Sequence, residues 1–128
     1  MEKIVRNQFE QEYKTWQTSL DFLRQENVLL KYRLSEMVDN DSENHFLQMA
    51  EYFQNESLLK DEGIKKLIDN IQKYLIELNE VKNEKRGERG LIGKQEGLRN
   101  KISKCKKDFL TLSHEFSEKM VRMPVKVF

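Results

Sequence analysis

The stretch FEQEYKTWQTSLDFLRQENVLLKYRLSEM, residues 9–37, decides how this chain must fold. Its apolar residues recur at alternating intervals of four and three: Phe9, Tyr13, Trp16, Leu20, Leu23, then Leu30, Leu34 and Met37. Asn27 stands where the next apolar residue belongs. Such spacing keeps one face of an α-helix against a neighbour along its whole length. With Phe9 at heptad position d, every a and d position up to Met37 is apolar except Asn27. A lone asparagine in a seam costs stability but penalises registers in which it meets only leucine. At the edge of the seam it would instead be solvated.

The same stretch is apolar on its other side as well. Phe22 and Leu29 fall at c, Val28 at b and Tyr32 at f, all opposite the a/d seam. A helix that is apolar nearly all round is normally buried. Two neighbours in a three-helix bundle cover one side only. The stripe Phe22, Val28, Leu29 and Tyr32 is therefore expected either to meet a partner or to pack inside a four-helix monomer. A contiguous apolar patch is unusual on a soluble monomer, so the first expectation is an interface for a second copy or another helical protein.

Beyond Met37, Asp39–Ser42 is turn chemistry, and Asp41 or Ser42 can cap the next helix. The spacing resumes through Phe46, Ala50 and Phe53, then Ile64, Leu67, Ile71, Tyr74, Leu78 and Val81. Ser57 and Lys60 hold the seam between them, while Leu58 and Leu59 point elsewhere. Gly63 follows, and a glycine inside a helix costs about 1 kcal/mol against alanine. With no proline or Asn-Gly turn there, one continuous second helix is expected; a break near 57–63 would give four helices. Residues 86–93, RGERGLIG, read as a loop because of their three glycines. Leu98, Ile102, Cys105, Phe109, Leu112 and Phe116 define a third helix, stopped by Met123-Pro124.

The expected fold is thus all-α: an elongated antiparallel three-helix bundle or coiled coil forming one domain over residues 1–123, with a tail at 124–128. Its helices should run over about residues 2–38, 43–85 and 94–122. The 128 residues suit one domain, and few glycines and prolines among many Glu, Lys, Leu, Asn and Gln suit long helices. A mean hydropathy of −0.80 invites a disordered reading, but regular apolar spacing and 23 basic against 22 acidic residues argue against one.

Cys105 is the single cysteine, so no intrachain disulfide can form. The N-terminal MEKIVRNQFEQEYK has no apolar signal core, and nowhere do 18 apolar residues run together. A cytoplasmic protein that makes no membrane contact is expected. Catalytic patterns do not emerge. A zinc site needs three or four suitably spaced ligands, which Cys105, His45 and His114 do not supply. His114 and Glu118, four residues apart, suit a surface ion pair. There is no GxxxxGK[ST] phosphate loop, no GxSxG, and no carboxylate set of the di-iron type. Cys105 sits in the seam as a small buried thiol, and Trp16 belongs to the core. No catalytic, metal or cofactor residue is assigned.

Charge is distributed unevenly. Residues 82–107 carry ten basic residues against three acidic ones, a net +7, while residues 1–81 carry −6. Arg99, Lys101, Lys104, Lys106 and Lys107 form a candidate basic patch on the third helix. Its bland reading is a solvated face. Its functional reading is an anionic partner, nucleic acid or an acidic protein surface. The expected function is a non-enzymatic scaffold or adaptor acting by helix–helix contact, with a homodimer the first form expected. Nucleic-acid association through the basic end is the alternative.

Overall fold

The computed structural model describes residues 3–40, 44–80 and 85–122, with side chains placed over 7–37, 47–80 and 90–120. Three helices account for all of them: α1, Lys3–Asn40; α2, Asn44–Glu80; and α3, Lys85–Arg122. Each packs against both others in up-down-up order, so the all-α three-helix bundle expected from the spacing is the fold. At 1.5 Å per residue each helix is about 55 Å long, making the bundle a rod. Among the described residues there is no strand.

The seam positions are the core. Phe9, Trp16, Leu20, Leu23, Leu30 and Leu34 are buried on α1, and Ala50, Phe53, Ile64, Leu67, Ile71, Tyr74 and Leu78 on α2. Leu98, Ile102, Phe109, Leu112 and Phe116 complete it on α3. Tyr13 and Cys105, also seam residues, are partly buried against the same cluster. Burial of a large apolar side chain contributes about 1.5–3 kcal/mol, so the core of the rod rather than helix propensity holds it together. Phe53 on α2 and Phe116 on α3 meet edge to face, with centroids 5.2 Å apart.

Two expectations need correction. The four-helix alternative fails, because α2 runs unbroken through residues 57–63. Gly63 lies in regular helix, with nothing within 4 Å of where a Cβ would stand. The glycine run 86–93 is not a loop either. α3 begins at Lys85, nine residues before the expected start at 94. The physical reason is that the apolar spacing continues backwards from Leu98 through Gln95 to Leu91, and both residues are buried. Packing of that turn outweighs the intrinsic cost of glycine. Of the turn read at 39–42, Asp39 and Asn40 instead continue α1. Asp41 and Ser42 with their cap reading, the stop at Met123-Pro124 and the tail 124–128 fall outside the described residues, as do the side chains of His45, Phe46 and Val81.

A polar layer divides the core. On one side lies the long cluster from Phe9 to Phe109, on the other the cluster of Leu30, Leu34, Ala50, Phe53, Leu112 and Phe116. Between them Asn27 is fully buried. Its amide donates to the Ser57 carbonyl at 2.8 Å and to Asp61 Oδ1 at 2.7 Å. Lys31 pairs with the other Asp61 oxygen. A second polar contact ties α1 to α3. Glu12 accepts from the buried Gln95 at 3.2 Å and from Arg99 at 2.7 and 3.0 Å.

Candidate functional site

The contacts orient all three faces. Lys31 at e meets Asp61, so the e and b positions of α1 turn toward α2. Glu12 at g meets Arg99, so g and c turn toward α3. The f position is left pointing straight out. Phe22, Val28, Leu29 and Tyr32, at c, b, c and f, are accordingly exposed by 59%, 57%, 49% and 63%. These values settle that the stripe does not pack inside its own monomer. It forms an apolar face on the outer side of α1. Leu58 and Leu59 beside Ser57 on α2 are exposed as well. The level of the rod that is polar inside is therefore apolar outside.

The basic patch is not one surface. Arg99 is held by Glu12 on the α1 side of α3, and this pair is what raises the arginine pKa. Lys106, seven residues on, shares that face by helical periodicity. Lys101 and Lys104 lie on the opposite flank, facing α2. Lys107 points outward and is exposed. The side chains of Lys82, Lys85, Arg86 and Arg89 are outside the described residues.

What Lys101 and Lys104 join is a groove between α2 and α3. Lys60, Lys66 and Lys73 supply its α2 bank and Lys94, Lys101 and Lys104 its α3 bank. The floor is apolar, with Leu67, Leu98 and Cys105, and Leu59 stands at one rim. Two stretches of about 310 and 330 Å³ run end to end through Asn70 and Lys101. Two carboxylates line them, Glu77 and Asp108. Glu77 is occupied by Lys94, and Lys60 by Glu56. Lys66, Lys73, Lys101 and Lys104 make no ion pair among the described residues. The antiparallel order of α2 and α3 brings these lysines together, a relationship that neither helix carries in its own spacing.

Burial, and then Asp108, push the Cys105 thiol pKa up, with Lys60 opposing. His114 Nε2 lies 3.2 Å from Glu118 Oε1 in an exposed pair on one helix turn. Among the described residues no three His, Cys, Asp or Glu side chains cluster to hold a metal, and no helix is long and apolar enough to cross a membrane. Comparison with family models, curated proteins and solved structures gives no match for this chain.

Proposed function

We propose that this protein is a non-enzymatic helical scaffold or adaptor that works in the cytoplasm through helix–helix contacts and self-associates by the outer stripe of α1. One observation carries the reading: four large apolar side chains stand 49–63% exposed on a single helix face. Covering them would contribute about 1.5–3 kcal/mol for each large side chain fully buried. Polar residues flank them on the same face, among them Asp21, Gln25, Ser35 and Glu36, as at the rim of helix–helix interfaces.

The test is light scattering over a concentration series. The chain has a mass of 15.4 kDa, and a higher mass should develop as concentration rises. The double change Phe22→Lys and Leu29→Lys should return the protein to monomer with its helicity intact, because the seam of α1 is untouched. A wild type that stays monomeric at the highest concentration reached would sink the proposal.

A second reading, nucleic-acid association, draws support from the four lysines of the α2–α3 groove that make no ion pair among the described residues. Phosphate contacts would make such capture fall steeply with salt. The groove lining offers neither an arginine fork nor an exposed ring for base stacking, so the first reading is preferred.

A further inference from the structure

Resting on that reading, we propose that the stripe of one copy docks into the lysine-banked α2–α3 groove of a second copy, so that self-association is head-to-tail rather than symmetric.

Position is the first argument. The stripe looks away from the a/d seam of α1, and the seam faces α2 and α3. The groove between α2 and α3 therefore lies on the opposite side of the rod. One copy presents the two surfaces back to back. Phe22 to Tyr32 covers about 15 Å of α1, and Leu59 to Asn70 about 16 Å of the groove's α2 bank. The two overlap in level without coinciding, because Asn27 on α1 meets Ser57 and Asp61 on α2 and the groove begins at Leu59.

Charge is the second. Between Thr18 and Glu36 the b, c and f positions of α1 hold two carboxylates, Asp21 and Glu36, and no cation. Asp21 is bonded to Arg24 on its own helix, while Glu36 has no ion-pair partner among the described residues. A two-fold antiparallel pairing of stripes, centred between Val28 and Leu29, would set Asp21 of one copy against Glu36 of the other. A parallel pairing would set each carboxylate against itself. Like charges are destabilising in either case. The groove offers the reverse: an apolar floor for Phe22 and Leu29, and Lys66, Lys101 and Lys104 on its banks for the carboxylates.

Gly63 fits the same arrangement. It costs the monomer helix propensity, adopts ordinary helical backbone and has nothing near its missing Cβ, so its own fold does not require it. It lines the groove, where the absence of a side chain lets an incoming ring approach the α2 backbone.

Surfaces that differ and face opposite ways generate rings or open arrays, not closed dimers. The experiment uses two variants of the full chain. The stripe variant carries Phe22→Lys and Leu29→Lys; the groove variant carries Lys66→Glu, Lys101→Glu and Lys104→Glu, all at exposed positions. Circular dichroism confirms that each is folded, and a glutamine version of the groove variant replaces the glutamate one if it is not.

Wild type should grow past two copies with concentration, and each variant alone should associate at least about tenfold more weakly. Mixed in equal amounts, the two should form a heterodimer that stops at two copies, joined by the one intact stripe and the one intact groove. Association of the groove variant on its own, at wild-type strength, would overturn the inference while leaving the stripe as an interface. A monomeric wild type would remove both. Loss of duplex DNA capture in the groove variant, with self-association unchanged, would assign the groove to nucleic acid instead.

Discussion

Asn27 on α1 donates its side-chain amide to the main-chain carbonyl of Ser57 on α2 across 2.8 Å, and both residues are fully buried. The bond favours one register of α1 on α2, because a shift of one heptad would set the amide against Ile64 and Ile68 in one direction and against Ala50 and Gln54 in the other. It does so at a cost. Asn27 Oδ1 is buried and has no hydrogen-bond partner among the described residues, and an unsatisfied buried acceptor costs about 1–3 kcal/mol.

Replacing Asn27 by leucine should therefore raise stability by about 1–2 kcal/mol, with Asp61 still held by Lys31. Urea unfolding followed by circular dichroism measures it. A lower midpoint at unchanged slope would show that the bonds to Ser57 and Asp61 outweigh the stranded oxygen.

Glu12 should matter more than the arginine it binds. Gln95 is buried and relies on Glu12, whereas Arg99 is half exposed. Glu12→Ala should cost about 1–3 kcal/mol by stranding the Gln95 amide. Arg99→Ala should cost under about 1 kcal/mol, as exposed ion pairs do. Equal losses in the two variants, read from denaturation midpoints, would contradict this ranking.

Tyr74 predicts a pH dependence. Burial, and then the Glu12 charge, push its phenol from 10 up to about 12, with Arg99 opposing. The folded state thus keeps a proton that the unfolded chain gives up. The stability from this group is fully present below pH 10 and lost as pH rises through the window from 10 to about 12. Tyr74→Phe removes both the ionisation and an unpartnered buried hydroxyl. Its stability advantage over wild type should widen across that window, and a constant difference would exclude the linkage.

The glycines at the start of α3 offer a direct gain. Gly90 and Gly93 have ordinary helical backbone and open space at the Cβ position. Alanine at both should stabilise the protein by about 1–2 kcal/mol. A thermal midpoint that fails to rise would mean that this first part of α3 is not helical in solution.

The alternation of four and three carried most of the fold. It identified the seam of all three helices, because burial follows helical periodicity directly. It failed at 86–93, where three glycines outweighed the weaker pattern of Leu91, Gln95 and Leu98. Gln95 belongs to the seam but is polar, so an apolar count passes over it. The stripe was legible for the same reason as the core, as a second apolar face on one helix. The partners of Asn27 were not, since Ser57 contributes a main-chain carbonyl that no side-chain pattern records. Nor was the groove. Its lysines come from two helices running in opposite directions, and Arg99 and Lys106, adjacent to them in sequence, turn the other way.

An odd number of helices has a mechanical consequence. Lys3 begins α1 at one end of the rod and Arg122 closes α3 at the other, about 55 Å away. Tension applied between them runs along the helix axes. It loads the inter-helix contacts, the Asn27–Ser57 and Glu12–Arg99 bonds among them, in shear rather than in peeling. An even-numbered bundle would bring both ends to one pole and peel open from there. In this bundle the two ends stay about 55 Å apart, so a pull between them would run along its full length.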